Sequence, residues 1–257
     1  HVRPRYWVRL GWCLFTSVLG TVLTLPERAA VGAWLRVRGA GGDLAPVKVL
    51  CVLGYYRSGT THLHYVLSCD PAMTTPRWYQ VLAPQGWVLS WLFLRWFLVP
   101  FLGSTRPQDD VAIGPEWPAE DDFALCNWML SSTLPGRMVL PREWDATWRG
   151  LHDLSASEVE RTRFRRAVRA FAWKIARIDG GRRVILKTPA HTARVKSLLE
   201  AFGPEHVKFV HIAREPAAVV KSNVAMHGRF EPYLMQDGAD EAEVRRRVIE
   251  EYDATER

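Results

Sequence analysis

The sequence predicts an α/β fold in which a parallel sheet and its flanking helices form three layers. From residue 47 onward, strand signals alternate with helix signals over short connections, an order typical of parallel sheets. Residues 47–53 and 207–213 are nearly continuous apolar runs, as expected for strands buried on both faces. The composition, 48% hydrophobic and 24% charged over 257 residues, excludes disordered chains, collagens and small disulfide scaffolds.

The N-terminal segment, residues 1–46, is set apart by a hydrophobic run. Residues 10–25 contain no charged side chain, but the run is shorter than the ~20 residues of a typical membrane span. A helix that contacts a membrane and a buried or amphipathic helix both remain open. We divide the chain into this segment and a domain of residues 47–257, expected to be truncated because the sequence stops inside a charged helical stretch. We expect a membrane-associated protein, with a cytoplasmic one as the alternative.

Residues 86–103 form a second hydrophobic segment, rich in leucine and in large aromatic residues. Arg95 lies in its middle and Pro100 lies near its end. Because a lone arginine is costly at the centre of a bilayer, we do not expect this segment to span one. A helix at an interface, a helix that lines an apolar substrate pocket and a helix packed in the core all remain open.

Net charge and cysteine spacing narrow the class of ligand. The chain has 34 Lys and Arg residues against 27 Asp and Glu residues, a formal net charge of +7. This excess favours an anionic ligand or surface. The four cysteines show neither a C-x-x-C pair nor a zinc-like spacing with histidine. We therefore expect no metal site and no disulfide framework, but reduced and mostly buried thiols.

The other elements are predicted from caps and helix breakers. The capping box Ser-Ala-Ser-Glu at residues 155–158 begins an arginine-rich helix that continues to Arg177. Its arginines indicate a solvated face and no nucleic-acid partner, because aromatic residues do not alternate with them. The remaining elements are helices at 62–69 and 192–202, a strand at 183–187, and a helix that begins at Pro216.

The candidate chemistry begins directly after the strand at 47–53. Gly54 and Gly59 enclose four residues, the length of a P-loop whose backbone N–H groups and following helix N-terminus bind phosphate. A P-loop for nucleoside triphosphates has a lysine after the second glycine, where this chain has Thr60. The cation lies upstream instead, at Arg57. The sequence thus predicts a P-loop-like anion site without the usual lysine.

Residues 57–61 (Arg-Ser-Gly-Thr-Thr) resemble the 5′-phosphosulfate loop of sulfotransferases, in which a basic residue precedes Ser-Gly-Thr-Thr. Arg214 at the end of a strand, followed by Ser222 in the next helix, resembles the 3′-phosphate site of that family. Residues 185–191 resemble the Lys-x-Pro segment of the broad group that includes tyrosylprotein and many bacterial sulfotransferases, and residues 106–125 resemble another segment of that group. The matches follow one another in the order that the family has.

The resemblance implies transfer of a sulfonate group from PAPS (3′-phosphoadenosine 5′-phosphosulfate) to an acceptor hydroxyl or amine, with no metal required. It implies that Arg57 and Lys187 stabilise charge on the bridging oxygen and the sulfonate. It assigns cofactor binding to Arg57, Ser58, Gly59, Thr60, Thr61, Arg214 and Ser222. The expected acceptor is a small or lipid-like molecule, and the hydrophobic segments add contact with a membrane surface. The sequence leaves the oligomeric state open.

The general base is the least determined group of the predicted site. Members of the group often have a Trp-Glu pair downstream of the loop, where residues 78–80 of this chain are Trp-Tyr-Gln. Glu120, or Asp121 beside it, is the first substitute, because an acidic cluster in a basic protein favours a cationic or catalytic partner. His191 is the second, because it lies near the carboxyl edge of the sheet. Residues 109–110, both aspartates, are expected in a solvated loop or as a cap.

Two other classes of protein remain open. A P-loop kinase or NTPase is the first, although the missing lysine argues against it and a requirement for magnesium would reveal it. A non-catalytic, membrane-associated scaffold that retains an anion loop is the second. It would bind the cofactor without turnover.

Overall fold

The computed structural model describes residues 2–39, 45–98, 104–106, 109, 111–129 and 132–256. The strands are β1 (Val49–Leu53), β2 (Met73–Thr74), β3 (Arg183–Lys187) and β4 (Val207–His211). The α-helices are α1 (Trp7–Gly39), α2 (Thr60–Leu67), α3 (Trp78–Leu82), α4 (Trp91–Leu98), α5 (Asp121–Met129), α6 (Leu134–Met138), α7 (Trp144–Leu151), α8 (Glu158–Ile178), α9 (Val195–Phe202), α10 (Pro216–Gly228) and α11 (Glu241–Glu256). Short 3₁₀ helices include Pro4–Tyr6 and Pro189–Arg194.

The strands form one parallel sheet in the order β2-β3-β1-β4, flanked by helices, which confirms the predicted fold class. β1 lies between β3 and β4: Val49 is paired with Val184 on one side and with Val207 on the other. Because the strands are parallel, the loops that follow β1, β3 and β4 all leave from the same edge of the sheet. Ligands of open α/β sheets bind at this edge.

β4 is less buried than its apolar sequence predicts. It is the last strand in the sheet order, and Lys208, Val210 and His211 are exposed. The expectation of a strand buried on both faces is therefore wrong for β4, whereas Cys51 and Val52 of β1 are fully buried. The short strand β2 was not predicted, because two residues are too few to show the alternation of apolar and polar residues that indicates a strand.

The long helix α8 starts later than its sequence predicts. Its N-cap is Ser157, whose hydroxyl accepts a hydrogen bond from the N–H of Glu160 at 3.3 Å. Ser155 is held by the carboxylate of Asp153 instead. The predicted capping box is therefore wrong in its position, although the helix itself is confirmed. Phe164 lies fully buried on its apolar face.

The first hydrophobic run lies within α1. One segment of helix, Pro4–Trp34, is long and apolar enough to cross a membrane, judged by length and composition. Most of its large apolar side chains are exposed, for example Trp12 and Phe15. The division of the chain at residue 46 stays a prediction.

The second hydrophobic segment forms α4, and residues 99–103 lie outside the described residues. Leu92, Phe93 and Trp96 are exposed on α4. Packing in the core, one of the three alternatives for this segment, is therefore wrong for the described part of the helix.

The four cysteines are free thiols, but only Cys51 is buried. Cys13 and Cys69 are exposed, and Cys126 is partly exposed. The expectation of mostly buried thiols is therefore wrong. Cys13 is exposed because it lies in the part of α1 against which no other described element packs.

Candidate active site

The loop between β1 and α2 presents backbone N–H groups at the start of α2. Gly54 and Gly59 both have positive φ angles, 138° and 101°. A Cβ atom on Gly54 would lie 2.5 Å from the carbonyl oxygen of Ile212, so only glycine fits there. Arg57 also has a positive φ, 71°, which is unfavourable for a residue with a side chain. The fold thus holds this loop in the kind of left-handed backbone conformation that binds anions.

The hydroxyl residues of the loop differ in where they face. Thr60, the first residue of α2, and Thr61 both line the cleft beside the loop. Ser58 is buried, and its N–H donates to the carbonyl oxygen of Tyr55 at 3.2 Å. Gly59 is exposed. The two threonines therefore offer hydroxyls to a ligand, whereas Ser58 is part of the turn itself.

Lys187, at the carboxyl end of β3, is the buried cation of the site. Its ammonium group donates to Thr61 Oγ1 at 3.1 Å and forms an ion pair with the carboxylate of Glu120. Burial lowers the pKa of Lys187; Glu120 opposes this effect, and Arg106 adds to it. The hydroxyl of Thr188 donates to the second oxygen of Glu120 at 3.4 Å. The structure thus brings Thr61, Lys187 and Glu120 together.

Asp109 joins two arginines next to the loop. Its carboxylate accepts hydrogen bonds from Arg57 at 2.6 Å and from Arg106 at 2.5 and 3.1 Å. Burial opposes ionisation of Asp109, but the bonds from Arg106 and Arg57 prevail and lower its pKa. A solvated loop, one of the two expectations, is therefore wrong for Asp109. The other, a cap, agrees with the N–H of Val111, which donates to Asp109 Oδ1 at 3.4 Å. Asp110 lies outside the described residues. Arg106, which the sequence analysis does not single out, also donates to Thr61 Oγ1 at 3.3 Å.

Arg214 and Ser222 both contact Arg57. The hydroxyl of Ser222, in α10, accepts a hydrogen bond from Arg57 Nε at 3.1 Å. The exposed guanidinium of Arg214 donates to the carbonyl oxygen of Arg57 at 3.1 Å. α10 begins at Pro216, as predicted. The chain therefore places both residues of the second predicted element against the anion loop.

His191 lies outside the cleft. It is fully buried, and its Nε2 is 2.6 Å from the carboxylate of Asp121, which is also fully buried. Burial opposes ionisation of Asp121, but the neighbouring His191 prevails and lowers its pKa. The geometry thus gives Glu120, and neither Asp121 nor His191, a place beside the loop. A base role for His191 stays a prediction that its position does not favour.

His64 is a residue of the cleft that the sequence analysis misses. It is buried on α2, one turn after Thr60, and its Nε2 lies 2.5 Å from Thr75 Oγ1. Burial and the nearby Lys187 lower the pKa of His64 to about 3, so the imidazole is neutral near pH 7. His64 follows Thr60 by four residues, so the two side chains lie on the same face of α2. This spacing is the sequence signal that could have placed His64 in the site.

A cleft that is partly open to solvent lies beside these groups. Its lining is mixed. The polar lining residues, called here the polar wall, are Arg57, Thr60, Thr61, His64, Arg106, Glu120, Arg137 and Lys187. The aromatic and apolar lining residues, called here the aromatic wall, include Tyr65, Trp78, Phe123, Met226 and Phe230. Such a lining suits ligands that combine an anionic or polar group with an apolar part. Within the described ranges, no three His, Cys, Asp or Glu residues are grouped so that they could hold a metal ion.

A parallel sheet with a glycine-bounded anion loop, a lysine and a carboxylate at one edge is typical of P-loop-like α/β folds. The chain belongs to the sulfotransferase family, whose family model matches residues 50–256. This match confirms the family that the loop residues indicate, and it favours sulfonate transfer over the kinase and scaffold alternatives.

Two curated relatives carry the same name and the same similarity. The chain is 31% identical over 225 residues to the omega-hydroxy-beta-dihydromenaquinone-9 sulfotransferase Stf3 of Mycobacterium bovis and to that of Mycobacterium tuberculosis. Each match covers 82% of this chain and 54% of the relative. The chain therefore spans about half the length of these curated relatives.

Two solved structures share the fold. Sulfotransferase STF9 from Mycobacterium avium matches with a TM-score of 0.60 and 18% identity, over 88% of this chain and 58% of STF9. Sulfotransferase STF1 from Mycobacterium tuberculosis matches with a TM-score of 0.55 and 16% identity, over 87% of this chain and 62% of STF1. At these identities, the two structures support the fold of the chain.

Proposed function

We propose that this chain transfers the sulfonate group of PAPS to a hydroxyl or amine of a lipid-like acceptor. The observation that carries the proposal is the contact of Lys187 with both Thr61 and Glu120, directly beside the glycine-bounded anion loop. Sulfonate transfer needs a cation to stabilise negative charge and a base to accept a proton. Lys187 and Glu120 supply this pair at one point of the cleft.

The residues of the loop fit the two anionic groups of PAPS. The backbone N–H groups after Gly54 and the hydroxyls of Thr60 and Thr61 suit a 5′-phosphosulfate at the N-terminus of α2. Arg214 and Ser222 suit the 3′-phosphate, because each has a polar group beside the loop. When bound, PAPS supplies an activated sulfonate: the acceptor oxygen bonds to sulfur, and the bond from sulfur to the phosphate oxygen breaks.

The side chains of this site have separate tasks in that transfer. Glu120 accepts the proton of the acceptor hydroxyl, which leaves Lys187 free to bind the sulfonate and the bridging oxygen. Arg57 and Arg106 neutralise charge that develops on the departing phosphate. His64 lies in the cleft as a neutral group, bound to Thr75. Positioning and charge neutralisation are the main contributions of the protein.

A lipid-like acceptor is supported by the aromatic wall of the cleft and by the similar chains. Trp78 and Phe123 offer apolar contact next to Glu120. The curated relatives are named for a menaquinone derivative, a lipid-like acceptor with a hydroxyl group. The apolar surface of α1 supports attachment of the chain to a membrane, where such an acceptor would be dissolved.

Thermal unfolding with PAP, the desulfated cofactor, tests the cofactor site. A ligand at 100 times its Kd stabilises a protein by about 2.7 kcal/mol, so PAP is expected to raise the Tm by several degrees. We expect Arg214→Ala to abolish this rise. The control is Arg166→Ala, at an exposed arginine of α8 outside the cleft, which is expected to keep it. ATP with magnesium is the competing ligand.

Each alternative function has its own result in this experiment. A rise in Tm with ATP and magnesium, but none with PAP, would support a P-loop kinase and overturn the proposal. A rise with PAP but no transfer of labelled sulfonate to any lipid quinol or alcohol would support the scaffold. A rise with PAP that Arg214→Ala removes, together with transfer to a lipid alcohol, is the result that we expect.

A further inference from the structure

Helix α1 is attached to the rest of the chain near its N-terminal end. The guanidinium of Arg5 lies 2.5 Å from the carboxylate of Asp237. One turn further on, Arg9 donates to the carbonyl oxygen of Leu234 at 2.8 Å. These contacts hold the start of α1 against the segment between α10 and α11.

The C-terminal half of α1 is attached to the same body at a second place. The buried carboxylate of Glu27 accepts hydrogen bonds from the backbone N–H groups of residues 88–90, directly before α4. This carboxylate therefore caps the N-terminus of α4. Further along, the ring of Trp34 packs on Trp173 of α8, with centroids 4.7 Å apart. α1 and α4 are thus fixed relative to one another.

Between these two attachments lies a bare stretch of α1, which ends before the buried Thr24. All residues from 11 to 19 are exposed, although none of them is charged. The large apolar side chains of this stretch are Trp12, Leu14, Phe15, Val18 and Leu19. A helix that is apolar all round is normally covered by protein or by lipid. In the described structure, protein does not cover it.

The two attachments restrict the orientations that α1 can take in a lipid bilayer. From Arg9 to Glu27 the helix rises by about 27 Å, close to the thickness of the bilayer's hydrocarbon core. If α1 crossed a bilayer along this stretch, Arg9 and Glu27 would lie on opposite sides. Both contact the same folded body, so a crossing helix would have to give up one set of contacts.

We propose that α1 does not cross the membrane and that α1 and α4 together rest in one leaflet of a lipid bilayer. This inference deepens the membrane attachment of the proposed function. Leu92, Phe93 and Trp96 give α4 an exposed apolar surface of its own. Arg95 lies over the ring of Trp96, 5.1 Å from its centroid, and from there its side chain reaches the lipid headgroups.

The same surface continues into the wall of the cleft. Trp91 of α4 stacks on Tyr79 of α3, with centroids 4.5 Å apart and an interplanar angle of 16°. The neighbouring residue, Trp78, lines the cleft that also holds the charged residues. We expect a lipid-like acceptor to pass from the leaflet to Glu120 along these aromatic residues. One leaflet is thus both the support of the protein and the source of its acceptor.

Cysteine labelling on preformed vesicles of phosphatidylcholine and phosphatidylglycerol tests the orientation of α1. In the wild-type chain, we expect vesicles to shield Cys13 from a membrane-impermeant maleimide while Cys69 stays reactive. In a background with Cys13, Cys69 and the partly exposed Cys126 replaced by serine, Val2→Cys reports the N-terminal side of α1. It is expected to react without detergent. Reaction only after the vesicles are opened with detergent would mean that α1 crosses the bilayer, and it would overturn the proposal.

A matched pair of double variants tests the contribution of α4. Phe93→Glu with Trp96→Glu is expected to weaken partitioning into vesicles by more than about tenfold, because apolar surface is replaced by charge. Val159→Glu with Ile249→Glu changes equally exposed apolar residues on α8 and α11 and is expected to leave partitioning unchanged. Both variants should keep the PAP-induced rise in Tm, measured in detergent.

Three further results would each overturn the inference. Equal weakening in the two double variants would show that α4 has no special part in binding. Shielding of Cys13 without vesicles, with a doubled mass in solution, would show that a second copy of the chain covers α1. Failure to bind vesicles while PAP still raises the Tm would remove the membrane contact and leave the cofactor site of the proposed function intact.

Discussion

Glu120 is the residue on which the direction of proton transfer depends. It is the carboxylate that lines the polar wall of the cleft, and it is paired there with Lys187. We expect Glu120→Gln to lower kcat by about 10²- to 10⁴-fold, the usual contribution of a general base. Because glutamine keeps the shape of the side chain, the Kd for PAP measured by calorimetry should change little.

The control for Glu120→Gln is Glu116→Gln, on the same segment of chain. Glu116 is exposed, contacts Arg77 at 3.4 Å and accepts a hydrogen bond from Trp91 Nε1 at 3.2 Å, away from the anion loop. It is expected to keep the wild-type kcat. If Glu120→Gln weakened PAP binding as much as it lowered kcat, Glu120 would be a structural partner of Lys187, and the assignment of the base would be wrong.

Asp109 places a negative charge where the donor's anionic groups are expected. Its carboxylate bridges Arg57 and Arg106, the two guanidinium groups beside the loop. Asp109→Asn removes this charge and is expected to tighten PAP binding by about three- to tenfold. The reason is that the phosphate groups of PAP no longer compete with a carboxylate for the two arginines. The measurement is the Kd for PAP at constant ionic strength.

Asp145→Asn is the control for the change at Asp109, because Asp145 contacts Arg247 at 3.5 Å outside the cleft. Its Kd for PAP should equal that of the wild type. Weaker binding by Asp109→Asn would show that the carboxylate positions the two arginines for the ligand and does not compete with it.

Lys174 connects α8 to the segment that leads into α4. Its ammonium group donates to the carbonyl oxygens of Gly86 at 2.7 Å and Pro84 at 3.2 Å, and it lies 3.7 Å from the centroid of the Trp87 ring. Burial lowers the pKa of Lys174 to about 7, although Glu27 opposes the shift. A buried lysine of this kind makes the stability of the fold depend on pH.

The sign of that dependence follows from proton counts. An unfolded lysine has a pKa near 10.4, so between about pH 7 and pH 10 the unfolded chain binds more protons at Lys174 than the folded chain does. Its contribution to the free energy of unfolding therefore rises with pH in this window, by up to about 1.4 kcal/mol per pH unit. Below pH 7 both states are protonated, and the cost of burying the charge is present in full.

Urea unfolding at several pH values measures this contribution. We expect Lys174→Met to lose the rise between about pH 7 and pH 9 that the wild type shows. Lys196→Met, at an exposed lysine of α9, should keep it. Parallel curves for the wild type and Lys174→Met would mean that Lys174 stays charged in the folded protein.

The elements that sequence patterns specify locally are those that the structure confirms. β1, β3 and α8 each carry a continuous apolar run or a 3.6-residue period, and Pro216 begins α10 as its fixed φ favours. The burial of β4 depends on which strand lies next to it, and this depends on the whole chain. No local pattern contains that information.

The same distinction holds in the candidate site. The anion loop can be predicted because its glycines, Arg57 and threonines are consecutive in the sequence. Asp109 and Arg106 could not be assigned from the sequence, because their contacts with the loop join residues that are about 50 positions apart. His64 carried a local signal, its spacing from Thr60, and could have been found.

At the scale of the whole molecule, a net charge of +7 and two exposed apolar helices act on a membrane in different ways. Salt screens the attraction between the basic surface and anionic headgroups. The screening length falls from about 10 Å at 0.1 M salt to about 3 Å at 1 M. Burial of Trp12, Phe15 and Trp96 in the acyl region is not screened. The two contributions can therefore be separated by titration with salt.

Binding to vesicles with and without phosphatidylglycerol, at rising salt, measures both contributions. At low salt the anionic vesicles are expected to bind the chain more tightly, because they attract its basic residues. Near about 1 M salt this advantage should vanish, and the remaining affinity should equal that for pure phosphatidylcholine. Complete release from both kinds of vesicle at high salt would mean that charge alone holds the protein on the membrane. The apolar helices would then need another partner, because exposure of their apolar side chains to water costs free energy in proportion to the exposed area.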